Sequence, residues 1–142
     1  MKLVQHLLDR KGTELISIVQ DASVFDAIKL MADRGIGSLL VMDGSDLRGI
    51  VTERDYARKV IVKGRSSEST EVGEIMSTDL VTATSRQTVN ECMTLMTDRR
   101  IRHLPIVDDD VVVGVISIGD LVQAIISDQQ QEIEQLEQYI SG

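Results

Sequence analysis

An internal duplication at a fixed spacing of 65 residues constrains the fold most strongly. Residues 15–61 align with residues 80–126 without a gap, and 12 of the 47 pairs are identical, whereas ordinary residue usage gives about three by chance. The alignment identifies an internal duplication. We therefore predict two domains: residues 1–68, which include a short N-terminal helix, and residues 69–142, which include a C-terminal helical extension.

Both copies show the same order of strand, helix, strand, strand and helix. Short apolar runs between polar turns predict the strands, and apolar residues three and four positions apart predict the helices. The predicted strands are residues 14–20, 38–43 and 47–52 in the first copy and 80–84, 103–108 and 111–117 in the second. The sequence therefore predicts a mixed α/β (α+β) fold made of two β-α-β-β-α units.

The helix after each first strand begins with a hydroxyl residue and has a carboxylate three positions later, which is a typical helix start. The residues predicted to line the inner faces of these helices are Val24, Ala27, Ile28 and Met31 in the first copy and Val89, Cys92, Met93 and Met96 in the second. Cys92 therefore reads as a core residue rather than a nucleophile. As the single cysteine of the chain it also excludes an internal disulfide.

Two further helical segments lie outside the duplicated region. Residues 1–12 place four apolar residues on one side and end at Gly12, a residue that commonly follows a helix. The last helix continues past the duplication with apolar residues at alternating spacings of three and four. This stripe comprises Ile126, Gln129, Ile133, Leu136 and Ile140. Because it is shorter than three heptads, it is expected to pack on its own domain or on the same helix of a second copy.

Each copy ends its third strand with the same motif, a glycine, two apolar residues, a hydroxyl residue and, three positions after the hydroxyl, an aspartate. The two versions are Gly49 to Asp55 and Gly114 to Asp120. One interpretation is a helix cap, in which the hydroxyl and the carboxylate satisfy free backbone amides. The other is a ligand site, in which first-turn amides bind an anion and the carboxylate accepts ribose hydroxyls. Two copies, each opened by a glycine that permits close approach, favour the ligand site.

Charge and composition exclude several functions. A net charge of −8, with two Tyr, one Phe and no Trp, argues against a nucleic-acid-binding face. No segment approaches the roughly 18 apolar residues of a membrane span, and the N-terminus does not resemble a signal peptide. We therefore expect a cytoplasmic protein without a nucleic-acid or membrane partner.

The sequence also lacks the motifs of the common enzyme classes. It has no nucleophile elbow, P-loop or zinc-binding helix, and its histidines and cysteine lack metal-ligand spacing. The run of Asp108, Asp109 and Asp110 could attract a cation, but it lacks the spacing of a calcium loop, so a solvated turn is the favoured interpretation. No enzymatic activity, metal or catalytic cofactor is expected.

The duplicated motif and the order of elements resemble the CBS domain, and two such units in tandem resemble a Bateman module. The resemblance covers about residues 13–127, and the second copy adds the R-H-L-P-I-V segment at residues 102–107. It implies two units related by a pseudo-twofold axis, with two clefts. Similar modules bind adenosyl compounds such as AMP, ADP, ATP, NAD and S-adenosylmethionine.

Carried over by position, the resemblance also implies roles for individual residues. In one cleft Asp120 holds the ribose, Ser117 the phosphate, and Arg102 and His103 add positive charge. The flanking residues of the adenine there are Ile16 and Ile36. In the other cleft Asp55 and Thr52 take the corresponding roles, and the flanking residues are Val81 and Ile101.

The clefts are expected to differ, because the first copy has Gly37 and Ser38 where the second has Arg102 and His103. Arg54, which aligns with Gly119, is then the candidate cation. These differences predict a compact monophosphate such as AMP beside Asp120 and a longer ligand such as NAD beside Asp55.

The resulting functional hypothesis is a regulatory module that senses adenine nucleotides, as an energy or redox sensor in signal transduction. It is expected to form a homodimer and to act on an unknown effector protein. The alternative is a structural or dimerisation module without a ligand, whose C-terminal helix makes the functional contact.

Overall fold

The computed structural model describes residues 2–12 and 14–141 and divides the chain into two units. The first unit is Leu15–Val81, and the second combines Met1–Glu14 with Thr82–Gly142. Each unit contains helices and strands, which confirms the mixed class expected from the duplication.

The first unit contains a three-stranded sheet in the order β1-β2-β3, with β1 parallel to β2 and β2 antiparallel to β3. Its strands are β1 (Ser17–Ile18), β2 (Ser38–Asp43) and β3 (Asp46–Thr52). Its helices are α2 (Val24–Arg34), α3 (Glu53–Tyr56), which continues as a π-helix (Ala57–Ile61), and α4 (Val72–Ile75). The core consists of Val24, Ala27, Met31, Leu39, Val41, Val51, Val60, Val72 and Ile75.

The second unit repeats this pattern with a two-stranded sheet, and its helix α1 (Val4–Lys11) is a longer counterpart of α4. Its other elements are α5 (Val89–Arg99), β4 (His103–Asp108), β5 (Val111–Ser117) and α6 (Ile118–Ser141). The β4–β5 register matches that of β2–β3, and both pairs have their irregularity at the equivalent position, after Val41 and after Ile106. The duplication therefore preserves the hairpin residue by residue.

The first strand of each copy is shorter than predicted. Of the predicted strand at residues 14–20, only Ser17–Ile18 forms a strand. In the second unit the segment 80–84 contributes a single bridge between Ala83 and Ile106. Leu40 N donates to Ile16 O at 3.4 Å. The equivalent residue of β4 is Pro105, which has no backbone N–H to donate to Val81. The predicted strand at 80–84 is therefore wrong.

Each copy packs with the segment that precedes the other copy in the sequence: α1 packs with the second copy, and the residues after Val72 pack with the first. In α1, Val4 N donates to Gln87 O at 2.9 Å, and Leu7 and Leu8 are buried. In the first unit, Ser77 N donates to Ile50 O at 2.9 Å. The prediction that α1 belongs with the first copy is therefore corrected, because its apolar side covers the second. The division of the sequence itself at residues 68 and 69 stays a prediction.

The predicted helix starts are present. Ser23 Oγ accepts a hydrogen bond from Asp26 N at 3.1 Å, and Thr88 Oγ1 accepts one from Glu91 N at 3.0 Å. Cys92 is fully buried on the inner face of α5, and burial raises the pKa of its thiol. Its prediction as a core residue is confirmed.

Helix α1 also lies where the sequence predicted a helix over residues 1–12, although Met1 is outside the described residues. It begins at Val4 and ends at Lys11, and Gly12 follows with a φ of 96°. The cap N–H of Gly12 donates to Leu8 O at 2.9 Å. Gly12 therefore acts as the predicted C-terminal cap.

The apolar stripe of α6 lies on the surface of its own unit. Ile133 is 54%, Leu136 61% and Ile140 82% exposed. Of the two packing alternatives for this stripe, packing on its own domain is therefore excluded. Over residues 2–12 and 14–141, no helix is both long enough and apolar enough to cross a membrane.

Candidate functional site

The motif of the first unit forms a reciprocal helix cap where β3 passes into α3. Thr52 Oγ1 accepts a hydrogen bond from Asp55 N at 3.1 Å. In return, Asp55 Oδ2 accepts hydrogen bonds from Thr52 N at 3.0 Å and from Thr52 Oγ1 at 3.1 Å. The Asp55 side chain is only 11% exposed. The hydroxyl and the carboxylate of this motif therefore form the helix cap that one of the two interpretations predicted.

The motif of the second unit forms the same cap where β5 passes into α6. Ser117 Oγ accepts from Asp120 N at 3.1 Å, and Asp120 Oδ2 accepts from Ser117 N at 2.9 Å. The Asp120 side chain is 29% exposed. Because a ligand must reach the carboxylate, this larger exposure makes Asp120 the more accessible of the two aspartates.

Each motif aspartate also pairs with a lysine that is not among the predicted ligand-binding residues, although Lys59 belongs to the basic stretch that follows Arg54 in the sequence. Lys59 Nζ lies 3.1 Å from Asp55 Oδ1 and donates to Ile75 O at 2.8 Å. Lys11 Nζ donates to Asp120 Oδ2 at 2.8 Å and to Val115 O at 2.9 Å. The spacing of four residues between Asp55 and Lys59 on one helix is a recognisable signal. No local pattern connects Lys11 with Asp120, because 109 residues separate them.

The surroundings of Asp120 lower the pKa of its carboxyl group below the ordinary value. Burial acts to raise this pKa, but the hydrogen bond from Lys11, the N–H of Ser117 and the positive charge of Lys11 together outweigh burial. Asp120 is therefore ionised at neutral pH, as an acceptor for ligand hydroxyls must be.

The motif glycines are explained by packing within each unit. A Cβ atom on Gly49 would lie 2.8 Å from Ser77 O and 2.9 Å from Met76 Sδ. A Cβ atom on Gly114 would lie 2.5 Å from Leu8 Cδ2. Residues of the chain itself therefore make the close approach that was expected at each glycine, so the glycines are not evidence for a ligand.

The second unit brings together the predicted phosphate-binding residues. His103 is the register partner of Ser117, and Ile118 N donates to Arg102 O at 2.8 Å. Gly119 and Asp120 follow in the first turn of α6. The start of β4 and the start of α6 therefore lie side by side.

The first unit arranges its own motif in the same way but has Gly37 and Ser38 where the second has Arg102 and His103. Ser38 is the register partner of Thr52, and Glu53 N donates to Gly37 O at 3.1 Å. Arg54 lies in the first turn of α3. The predicted adenine contacts of Ile16, Ile36, Val81 and Ile101 stay predictions. Ile16 and Ile36 are partly buried against the core of the first unit.

A cavity of about 550 Å³ in the second unit has Asp120 in its wall. Helix α1 contributes Leu7, Arg10 and Lys11, and α6 contributes Gln123 and Ser127 among others. This volume lies within the range of small-molecule sites.

The acidic turn after β4 has a structural explanation. Asp108 accepts hydrogen bonds from Ser85 Oγ at 2.5 Å and Ser85 N at 2.9 Å, and these bonds lower the pKa of its carboxyl group. Asp109 and Asp110 adopt positive φ angles of 49° and 65°, which are typical of a tight hairpin turn. In the part of the chain that the structure describes, no cluster of His, Cys, Asp or Glu could hold a metal ion.

The two copies share a helix, a β-hairpin and a second helix, and in each the second helix begins at a hydroxyl cap with a buried or half-buried aspartate. These features define a tandem-repeat α/β module. The CBS domain family model matches residues 10–62 and 72–127. The chain therefore belongs to the CBS domain family and contains a pair of these domains.

Similar proteins include others with paired CBS domains. A mitochondrial CBS domain-containing protein of Arabidopsis thaliana, CBSX3, is 46% identical over 127 residues, which are 86% of this chain and 62% of that protein. This chain thus spans less than two thirds of that relative. The structure of a putative signal-transduction protein with CBS domains from Burkholderia ambifaria has 49% identity and a TM-score of 0.87, with coverage of 90% and 96% of the two chains.

One further solved structure carries ligands. The CBS domain pair of protein MJ0100, in complex with 5′-methylthioadenosine and S-adenosylmethionine, is 25% identical with a TM-score of 0.80. The similarity covers 90% of this chain and 98% of that one.

Proposed function

We propose that this chain is a cytoplasmic regulatory module that binds adenosyl compounds at its motif aspartates and makes no covalent change to them. The observation that carries the proposal is the accessible, ionised Asp120 at the start of α6, beside Ser117 and the beginning of β4. The adenosyl ligands of the MJ0100 domain pair support the choice of ligand class.

The chemistry of the Asp120 site suits a nucleotide. A carboxylate can accept hydrogen bonds from both hydroxyls of a ribose, and these charge-assisted bonds are about twice as strong as neutral ones. The amides at the start of a long helix attract a phosphate. Ser117, Arg102 and His103 lie at the same end of β4 and β5 and would contribute a hydroxyl and positive charge.

The two sites are proposed to differ in ligand. Asp120 is the more exposed aspartate and has Arg102 and His103 close to its cap, which suits a compact monophosphate such as AMP. Asp55 is nearly buried, and its helix carries Arg54 and Lys59. This distribution of charge suits a longer ligand such as ATP or NAD.

Isothermal titration calorimetry with AMP, ATP, NAD and S-adenosylmethionine tests the proposal. We expect Asp120→Asn to weaken AMP binding at least tenfold and Asp55→Asn to weaken the longer ligand by a similar factor. Asp98→Asn is the matched control, because Asp98 is an exposed carboxylate on α5 outside the motif. If none of these ligands binds the wild-type protein, the proposed function is wrong. Equal weakening of every ligand by both variants would reject the assignment of ligands to sites.

The exposed stripe of α6 favours a second role, association with another copy of the chain. We infer that Ile133, Leu136 and Ile140 contact the same helix of a partner, because their exposure leaves a large apolar surface in water. This dimer would present the module to an effector protein. If the chain binds no ligand, dimerisation through α6 is the alternative function.

Light scattering at micromolar concentration measures the association directly. We expect twice the mass of 15.7 kDa for the wild-type protein and the monomer mass for the double variant Ile133→Glu with Leu136→Glu. The double variant Gln131→Glu with Gln138→Glu adds the same two charges to exposed positions of α6 outside the stripe and should remain dimeric. A monomeric wild-type protein would reject the dimer.

A further inference from the structure

Lys11 reaches the motif aspartate of the second unit from a distant part of the chain. It occupies the last turn of α1, and its Nζ bridges Asp120 Oδ2 at 2.8 Å and Val115 O at 2.9 Å. Ser117 N donates to the same oxygen, Oδ2, at 2.9 Å. The cap and the lysine therefore hold one side of the carboxylate together.

The lysine of the first unit holds its aspartate in a different way. Lys59 contacts Oδ1 of Asp55, whereas Thr52 donates to Oδ2, so both carboxylate oxygens are engaged. At Asp120 the bonds from Lys11 and Ser117 share Oδ2. A ligand hydroxyl can therefore approach Oδ1 of Asp120 without displacing either bond.

The duplication did not supply these two lysines. At the offset of 65 residues, Lys59 of the first unit corresponds to Ala124 of the second, and Lys11 of the second unit corresponds to Met76 of the first. Both lysines nevertheless bridge a motif aspartate and a backbone carbonyl oxygen. The two lysines come from non-equivalent positions, so the duplication does not explain why each motif aspartate has a lysine beside it. The negative charge of the partly buried carboxylate explains it better.

Helix α1 is held firmly enough to place Lys11. Val4, Leu7 and Leu8 are buried, and Gln5 N donates to Ser85 O at 3.0 Å. Lys2 Nζ forms an ion pair with Asp128 of α6 at 3.2 Å. Because several contacts besides Lys11 anchor the helix, replacing Lys11 should leave α1 in place.

We propose that Lys11 is a positioning residue of the Asp120 site, which holds the carboxylate through Oδ2 so that Oδ1 accepts the ribose hydroxyls of the ligand. Helix α1 is thereby part of the binding site. This inference rests on the proposed function of Asp120. Since coupling between two events is reciprocal, a bound ligand also strengthens the attachment of α1 to the second unit.

Other groups that can carry a positive charge also lie near Asp120. Arg10 lines the same cavity as Lys11 and Asp120, and His103 lies opposite Ser117 on β4. Lys11→Gln removes a positive charge and the hydrogen bond to Oδ2. Arg99→Gln is the control, because it removes the same charge from an exposed residue in the last turn of α5 and keeps that hydrogen bond.

Calorimetry with AMP and with adenosine distinguishes positioning from phosphate binding. We expect Lys11→Gln to weaken both ligands by a similar factor of about tenfold, because the ribose is common to both. Lys11→Arg should recover part of the affinity, and Arg99→Gln should change adenosine binding less than twofold. Weakening of AMP alone would make Lys11 a phosphate ligand, and unchanged or tighter binding by Lys11→Gln would also overturn the inference.

A second measurement needs no ligand and therefore separates this inference from the proposed function. Carbon-13 NMR of the Asp120 carboxyl group gives its titration midpoint in the wild-type protein and in Lys11→Gln. We expect a higher midpoint for Asp120 in Lys11→Gln. The midpoint of Asp108, whose pKa is lowered by its hydrogen bonds from Ser85, should be unchanged in the same spectra. An unchanged Asp120 midpoint in a variant that melts like the wild type would contradict the role of Lys11, whether or not AMP binds.

Discussion

The two copies share the start of the motif helix and differ in what surrounds it. Both aspartates accept a hydrogen bond from the N–H of the residue that caps their helix. Asp55 is then enclosed by a lysine of its own helix, whereas Asp120 meets a lysine of α1 and stays more exposed. The duplication therefore preserves the local cap, and the segments packed around each copy determine how accessible the aspartate is.

The helices that begin at the two motifs also continue differently. Helix α3 passes into a π-helix at Ala57, where Val62 N donates to Ala57 O at 3.0 Å, whereas α6 runs without interruption for 24 residues. A π-helical turn adds a residue to each hydrogen-bonded ring and so rotates the side chains that follow. Equivalent positions beyond the motif therefore do not face equivalent surroundings.

The largest expected difference between the copies concerns the motif glycines. Gly49→Ala should lower the free energy of unfolding by about 3 kcal/mol, because the new Cβ meets a backbone oxygen that cannot move independently. Gly114→Ala should cost about 1 kcal/mol, because the Leu8 side chain can rotate away. Urea denaturation measures both values. Gly119→Ala is the control, since its Cβ would meet only Ser117 Oγ at 3.6 Å; equal costs at Gly49 and Gly114 would show that the packing difference is unimportant.

A smaller difference is expected between the aspartates in the absence of ligand. Asp55→Asn should cost about 2 kcal/mol of unfolding free energy at pH 7, because it disturbs a nearly buried cap and the contact with Lys59. Asp120→Asn should cost about 1 kcal/mol, because its more exposed ion pair is partly screened. Thermal or urea unfolding of both variants checks the order, and a larger cost at Asp120 would reverse the comparison.

The smallest expected effect is the pH dependence of the Asp120 contribution. The folded-state pKa of Asp120 lies below the ordinary value, so its ion pair stabilises the fold above about pH 4 and the contribution is lost as the pH falls through the folded-state pKa. The difference in unfolding free energy between wild type and Asp120→Asn should therefore shrink from about 1 kcal/mol at pH 7 towards zero as the pH falls through the folded-state pKa. A constant difference over this range would show that the cap, and not the charge, accounts for the effect.

Several elements could be predicted because their signals are local. Three of the four hairpin strands have the predicted bounds, and β3 begins one residue earlier than predicted. The hydroxyl residues at the helix starts form the predicted caps. Alternating apolar residues and caps involve neighbours within four positions, so the sequence reveals them directly.

By itself the sequence determined the duplication, the mixed fold, the membership in the CBS domain family and the two motif aspartates. Only the tertiary structure decided that α1 covers the second unit, that Pro105 limits the pairing of residues 80–84 and that Lys11 contacts Asp120. The first set depends on residues close together in the chain or repeated at a fixed offset. The second depends on which apolar faces pack together and which backbone donors meet acceptors far away in sequence, and no local pattern records those pairings.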